Sequence, residues 1–125
     1  MSDRLERAFR ATSHAPARAK LTESAFQSQV IALARTLGWR VAAFRPAMNQ
    51  RGEWRTPVQG DGKGWPDCVL VGRGRVLFRE LKLDKRYPTP EQREWGEALL
   101  AAGADWAIWR PKDWPIIEAT LKGEA

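Results

Sequence analysis

Two apolar runs, at residues 66–71 and 76–83, are separated by the turn sequence Gly-Arg-Gly-Arg at residues 72–75. Short apolar runs joined by a glycine-rich turn are typical of a β-hairpin. The second run also carries charged residues, among them Glu80 near its middle and Lys82 two positions later. Because a charge inside an apolar strand needs a partner or a purpose, this hairpin predicts both a sheet and a polar site on that sheet.

The chain before the hairpin predicts one helix and one strand. Thr22 is a good N-cap for a helix that runs to about Leu37, because apolar residues recur there at helical spacing. Gly38 follows as a C-terminal cap. Residues 39–45 (Trp-Arg-Val-Ala-Ala-Phe-Arg) predict a strand.

The chain after the hairpin predicts a helix, a strand and a short terminal helix. Thr89 and Pro90 are a typical N-cap and first helical residue. The inward face of that helix is expected to consist of its apolar residues Trp95, Ala98, Leu99 and Ala102. Residues 104–110 are apolar on both faces, as expected for a central buried strand, and a helix follows from 113 or 114 to about 122.

At 125 residues the chain is long enough for a single domain. Residues 1–20 are basic, small and polar, so we expect a disordered arm there, with contact to a phosphate backbone as the alternative. The folded domain is expected at 21–125. No apolar run reaches the ~20 residues of a membrane span, and no signal peptide is evident, so we expect a cytoplasmic protein with no membrane partner.

Composition excludes several kinds of chemistry. The net charge of +6 favours an anionic partner, nucleic acid first. The one cysteine, Cys68, cannot form an internal disulfide and is expected to be a small packing residue; the one histidine, His14, lies in the arm. Because the last serine is Ser28, a Ser–His or Cys–His hydrolase lacks its components. The chemistry that remains uses carboxylates, lysine, glutamine and a hard metal ion.

The hairpin brings such groups together. Asp67 stands at the start of the first hairpin strand and lies 13 residues before Glu80 across the turn, so the two carboxylates can lie side by side. Glu80 and Lys82 point to the same face because strand side chains alternate. A divalent cation commonly resolves the repulsion of paired carboxylates at neutral pH, and a neighbouring lysine can orient or deprotonate water. The alternative is a surface ion pair between Glu80 and Lys82 on an edge strand.

Two further polar residues are candidates for the same site. Glu23, in the first turn of the first helix, is expected to point toward the core side beside Gln27, or else only to complement the helix dipole. Gln92 is three residues after Thr89, the spacing of a capping box, yet it shares the inward register of Trp95. Its two possible roles, capping the helix and serving the site, stay open at this stage.

Residues 46–65 predict a long irregular segment, rich in glycine and basic residues. A connection of this length is often functional, and its composition suits a loop laid against phosphates; a mobile surface loop is the alternative. Trp54 and Trp65, in or beside the loop, are candidates for stacking on bases.

The chain resembles the PD-(D/E)xK nuclease superfamily, and within it the VRR-NUC family, notably the stand-alone versions of phages and bacteria. The resemblance lies in Gly64-Trp-Pro-Asp67, Glu80-Leu-Lys82, Gln92, Glu23 and the block Trp109-Arg-Pro111, and covers roughly residues 21–121. It implies an α/β, restriction-endonuclease-like core, in the order α-β-β-β-α-β-α, with a mixed sheet flanked by helices. It places the protein in a bacterial or phage-infected cell.

The resemblance also implies roles for the residues. Asp67 and Glu80 would bind Mg²⁺ or Mn²⁺, with the Leu81 carbonyl as a further ligand, and Glu23 would contribute directly or through water. Lys82 would position the attacking water, and Gln92 would steady that water or the scissile phosphate. No small-molecule cofactor is expected.

The implied activity is hydrolysis of DNA phosphodiester bonds, with selectivity for branched DNA of the Holliday-junction type. A nicking or flap-directed nuclease, or a nucleic-acid-binding module without catalysis, is the alternative. A homodimer is expected because a junction needs two cuts, and because Trp106, Trp109 and Trp114 exceed what so small a core readily absorbs. The residues expected to contact DNA are basic or aromatic and lie near the site: Arg45, Arg51, Arg55, Lys63, Trp65, Lys85 and Arg86.

Overall fold

The computed structural model describes residues 21–44, 47–48, 50–55 and 58–125, so the predicted arm at 1–20 lies outside the described residues. The described chain is mixed α/β, as predicted. Its elements are, in order, α1 (Glu23–Thr36), β1 (Arg40–Ala43), β2 (Ala47–Met48), β3 (Trp54–Arg55), β4 (Cys68–Gly72), β5 (Arg75–Leu81), α2 (Pro90–Ala101), β6 (Asp105–Trp109), a 3-10 turn (Pro111–Asp113) and α3 (Trp114–Leu121).

The main sheet has four strands in the order β1-β4-β5-β6. Its first three strands are antiparallel neighbours, whereas β6 pairs parallel to β5, so the sheet is mixed. The predicted hairpin is the β4–β5 pair. Its two loop residues, Arg73 and Gly74, have φ angles of 50° and 72°, the positive values that suit the twist of a two-residue hairpin loop.

The last strand is not central, contrary to the prediction from its apolar sequence. β6 lies at one edge of the sheet, and four of its five residues are only half-buried. It pairs with β5 alone within the described chain. Helices on both faces of the sheet partly cover its apolar side chains, which is why an edge strand can have an apolar sequence.

The segment predicted to be irregular at 46–65 contains a short β-ribbon. Ala47 pairs with Arg55 and Met48 with Trp54 in an antiparallel two-stranded sheet. The chain reverses within this segment, so its backbone groups bond to each other. The ribbon adds two short strands to the predicted order of elements.

The core lies between one face of the main sheet and helices α1 and α3. Thr22 caps α1, as predicted, by accepting a hydrogen bond from the Ala25 N–H at 3.0 Å. The buried apolar residues of this layer come from both helices and all four strands or their flanks: Phe26, Val30, Leu33, Ala34, Trp39, Cys68, Leu70, Leu77, Leu81, Trp109, Ile117 and Leu121.

A buried cation also lies in this layer. Arg79 stacks on Trp109, with its guanidinium carbon 4.8 Å from the ring centroid, and donates to an Asp105 carboxylate oxygen at 2.9 Å. It also donates to the Asp105 carbonyl at 2.7 Å. These contacts tie the parallel strands β5 and β6 together. Burial lowers the pKa of Arg79 from its ordinary value, and the Asp105 carboxylate opposes that shift.

Helix α2 covers the opposite face of the sheet, where Phe78 and Trp106 lie side by side. It approaches through Gly96, because a Cβ there would meet the Trp106 ring at 2.6 Å. Trp95 and Leu99 are half-buried as predicted, but Ala98 and Ala102 are exposed. The correction follows from geometry: the helix docks by its smallest residue, so its alanines face solvent.

The surplus of tryptophan is taken up within the chain. Trp109 is buried, Trp106 packs on Gly96, and Trp114 packs against the core. These side chains therefore lend no support to the expected homodimer. None of the helices in the described part of the chain has the length and apolar character that a membrane crossing requires.

Candidate active site

Asp67 is fixed beside the end of β5 by two hydrogen bonds, one to its backbone carbonyl and one to its side-chain carboxylate. Its carbonyl accepts from the Phe44 N–H at 2.8 Å, which extends the β1–β4 pairing. Its carboxylate accepts from the Leu81 N–H at 2.7 Å. Leu81, predicted to offer its carbonyl to a metal ion, thus contacts Asp67 through its N–H group, which belongs to the preceding peptide.

Glu80 shares the α2 face of the sheet with Phe78, because it lies two residues further along the same strand. The residue is 1% exposed. Its Oε1 accepts a hydrogen bond from Gln92 Nε2 at 3.1 Å, whereas its buried Oε2 has no hydrogen-bond partner among the described residues. Burial is the largest cause that holds the pKa of Glu80 well above its ordinary range. The hydrogen bond that protonated Glu80 makes with Asp67 and the charge of Asp67 add to the shift, and Lys82 opposes it.

The carboxyl groups of Asp67 and Glu80 can bind each other only through a shared proton or a shared cation. Two ionised carboxylates are both acceptors, so the contact between Asp67 and Glu80 becomes a hydrogen bond only when one of them holds a proton. A divalent cation satisfies the same oxygens without a proton. The unpartnered Oε2 and the all-oxygen donor set therefore fit a hard cation such as Mg²⁺ or Mn²⁺.

Glu23 does not complete this pair. It is exposed on the first turn of α1, and its charge reaches Glu80 only as a minor contribution that raises the Glu80 pKa. Among the described residues, no three His, Cys, Asp or Glu side chains lie close enough to hold a metal ion. The expectation that Glu23 points toward the core is therefore wrong, whereas Gln27, one turn later, is buried as predicted.

Gln92 both caps α2 and contacts Glu80. Its Oε1 accepts from the Thr89 N–H at 2.8 Å and its own N–H donates to Thr89 Oγ1 at 3.2 Å, which together form a capping box. Its Nε2 donates to Glu80. Because the Thr89 N–H is a donor, it fixes the oxygen end of the amide and leaves the nitrogen end for the carboxylate.

Trp65 lies in an aromatic cluster beside the site. Its ring makes edge contacts with Phe44, Phe78 and Trp95, at centroid distances of 6.4, 5.8 and 4.9 Å. The cluster joins the end of the loop to the sheet and to α2. Packing is thus the observed role of Trp65, and stacking on bases stays a prediction.

The basic residues expected to contact DNA are placed unevenly. Lys63 is 84% exposed and pairs with Glu91 at 3.1 Å. Arg51 is exposed, as are Lys85 and Arg86 in the turn that follows β5. Arg45 and the side chains of Trp54 and Arg55 lie outside the part of the chain that the structure describes.

Arg110 is a residue that sequence reasoning missed. Its Nη1 donates to the carbonyls of Leu83 and Arg86, at 2.9 and 2.5 Å, and so holds both ends of the basic turn. Lys85, within this turn, has a φ of 74°, which is uncommon for a residue with a side chain. The only signal in the sequence was the position of Arg110 in the block 109–111.

Cys68 is inert. It is fully buried, and burial followed by the charge of Asp67 raises the pKa of its thiol to about 12. A nucleophilic cysteine requires a thiolate, so this residue packs the core as expected.

The raised pKa of Glu80 predicts how the stability of the metal-free protein depends on pH. A carboxyl group with a folded pKa above its unfolded value takes up a proton on folding, so its contribution is complete below 4.5 and is lost as the pH rises toward about 10. We expect the free energy of unfolding to fall between about pH 5 and 8 by up to roughly 1 kcal/mol per pH unit.

Urea unfolding in chelator at several pH values measures this slope, and Glu80→Gln should flatten it. The other carboxyl and thiol groups with shifted pKa values titrate outside this window: the pKa values of Asp105 and Glu91 lie below their ordinary 3.8 and 4.5, and that of Cys68 lies above its ordinary 9.0. An equal slope in both proteins would contradict the assignment to Glu80.

Comparison of the chain with protein-family models, with curated proteins and with solved structures found no match.

Proposed function

We propose that this protein is a Mg²⁺- or Mn²⁺-dependent DNA endonuclease of the PD-(D/E)xK type that its sequence resembles. The observation that carries the proposal is the buried Glu80 carboxyl, which lies beside Asp67 and has one oxygen without a hydrogen-bond donor among the described residues. Burying one carboxyl group beside another is costly, so a purely structural protein has little reason to keep the pair. Lys82 and Gln92 lie beside it, which supports a reactive site.

Asp67 and Glu80 are the residues that would hold the cation, with one oxygen of each already positioned by a hydrogen bond. A divalent cation, when bound, polarises a phosphoryl oxygen and lowers the pKa of a water molecule. Lys82 follows the end of β5, where its backbone N–H is fixed by the Trp109 carbonyl at 3.1 Å. Its ammonium group orients the attacking water and stabilises negative charge that develops on the phosphate.

Gln92 has a different part from the one that the resemblance implies. Its nitrogen end faces Glu80 and its oxygen end is held by the helix cap, so it orients a ligand of the cation. Partners of this kind fix the direction of a ligand's lone pairs. We therefore propose that Gln92 orients the Glu80 carboxylate and that Lys82 alone positions the attacking water.

DNA is the substrate that the charge supports best. The net charge is +6, and the exposed residues Lys63, Lys85 and Arg86 lie on segments that flank the site. Phosphate contacts by such residues give affinity without sequence preference. Branched DNA, cut by a two-fold dimer with one site in each protomer, is the specific form that we propose. Nicked and flap substrates are the alternatives.

A panel of synthetic DNAs tests the proposal: a four-way junction, a flap, a nicked duplex and a linear duplex, each with Mg²⁺, with Mn²⁺ and with chelator. We expect metal-dependent cleavage, with paired cuts in the junction and binding that weakens steeply with salt. Light scattering gives the oligomeric state. Binding without cleavage under every metal condition would favour the non-catalytic module, and equal cutting of linear duplex by a monomer would remove the junction-specific form.

A further inference from the structure

Gly64 lies against the first turn of α2 with no space for a side chain. A Cβ at this position would lie 2.5 Å from the Glu91 carbonyl carbon and 2.7 Å from the Gln92 nitrogen. These are backbone atoms of the helix, so they cannot move aside without moving the turn. The φ of Gly64 is also +87°, a conformation that residues with side chains rarely adopt.

The loop residues around Gly64 bind the same helix. Lys63 pairs with Glu91 at 3.1 Å, and the Asp61 carbonyl accepts from the Trp95 indole N–H at 2.9 Å. Trp65 contacts the Trp95 ring. Together these contacts press the first two turns of α2 onto the loop, and the closest approach is at Gly64.

The first turn of α2 is also the part of the helix that serves the site. Gln92 reaches Glu80 at 3.1 Å while its oxygen is held in the capping box. Because the capping box ties the amide to its own helix, the Gln92 side chain moves with a displaced turn and cannot stay on Glu80. An outward shift of the turn by even a fraction of an ångström therefore lengthens the contact between Gln92 and Glu80 beyond hydrogen-bond range.

We propose that Gly64 is a positioning residue: by lacking a Cβ it seats the first turn of α2 close enough to the sheet for Gln92 to orient Glu80. The effect of Gly64 on catalysis rests on the proposed nuclease function, whereas its effect on the contact between Gln92 and Glu80 does not. The close approach of Gly64 is to the backbone of α2, so it acts through the helix.

Gly60 provides a matched control. It lies in the same loop with a φ of +68°, and a Cβ there would meet no atom of the described residues within 4 Å. Gly60→Ala and Gly64→Ala thus introduce the same side chain at similar backbone angles, and only the second meets the helix. A difference between the variants isolates the close approach from backbone strain.

The experiment compares the full-length wild type with both alanine variants by two readouts that do not need cleavage. NMR follows the Gln92 side-chain amide, and calorimetry measures Mn²⁺ affinity. We expect Gly64→Ala to shift the amide resonances and to weaken Mn²⁺ binding by roughly 10- to 100-fold, as for changes that disturb the partner of a metal ligand. Gly60→Ala should leave both at wild-type values.

A double-variant cycle shows whether Gly64 acts through Gln92. In a Gln92→Ala background, Gly64→Ala should cause no further loss of Mn²⁺ affinity, because the contact that it disturbs is already absent. Full additivity of the two losses would overturn the proposal. Unchanged amide resonances in a folded Gly64→Ala would overturn it as well.

If Gly64→Ala does not fold, Thr89→Val provides a second way to disturb the first turn of α2, from its exposed side. It removes the hydroxyl acceptor of the capping box and leaves the loop untouched. We expect a displaced Gln92 amide resonance and weaker Mn²⁺ binding, and wild-type values of both would overturn the proposal. If the wild type binds Mn²⁺ and shows the Gln92 contact but cuts none of the DNAs, the nuclease function fails while the positioning role stands.

Discussion

Glu80→Gln is expected to abolish metal-dependent cleavage and to make the metal-free protein more stable. The variant keeps the shape of the side chain but loses the charge that a hard cation requires. Since changes in the partners of a metal ligand already cost about 10- to 100-fold, loss of a ligand should reduce cleavage by at least about 100-fold. Removing the strained carboxyl should raise the free energy of unfolding by roughly 1–3 kcal/mol at neutral pH.

Cleavage assays with Mg²⁺ and urea unfolding in chelator measure the two effects on one sample. Glu97→Gln is the matched control, because it neutralises an exposed carboxylate on the same helix that carries Gln92. We expect the control to keep wild-type cleavage and stability. Full activity of Glu80→Gln, or cleavage by the wild type in excess chelator, would contradict the assignment of the site.

Lys82→Met is expected to reduce turnover by about 10²- to 10⁴-fold while sparing metal binding, since Lys82 acts on the water and the phosphate. Methionine keeps most of the apolar stem of the side chain, so the packing around the end of β5 should survive. Single-turnover cleavage gives the rate, and calorimetry with Mn²⁺ gives the affinity. We expect a large loss in cleavage rate but a change of at most a few-fold in Mn²⁺ affinity.

Lys112→Ala is the control for this prediction, because it removes an equal charge from an exposed position in the 3-10 turn before α3. Its turnover should match that of the wild type. If Lys82→Met instead loses Mn²⁺ affinity as strongly as Glu80→Gln does, then Lys82 supports the carboxylate pair and has no separate role at the water.

Local patterns in the sequence predicted the individual elements well. The capping residues Thr22 and Thr89 lie where the helices begin, and the hairpin turn falls at Arg73 and Gly74. These features depend on neighbours within a few residues, which a sequence displays directly. The pairing of Asp67 with Glu80 was predictable for the same reason, because both belong to one hairpin.

Arrangement in space was harder to predict. An apolar strand such as β6 has the same sequence at the centre of a sheet as at an edge covered by helices, so its position was assigned wrongly. The direction of Glu23 depends on how α1 tilts across the sheet, which periodicity does not encode. The clamp formed by Arg110 joins segments that are distant in the chain, and no local motif announces such a contact.

The connections of the site have a consequence for the order in which it assembles. Asp67 and Glu80 approach through a two-residue loop, whereas Gln92 must arrive with α2 as the chain crosses over to β6. Local contacts form early in folding, and a parallel crossover forms later because a longer loop has to close. In a folding chain, the Asp67 and Glu80 carboxyl groups therefore come together before Gln92 is in place to hold Glu80. We expect acidic buffer to speed the early phase of folding and to leave the docking of α2 largely unaffected.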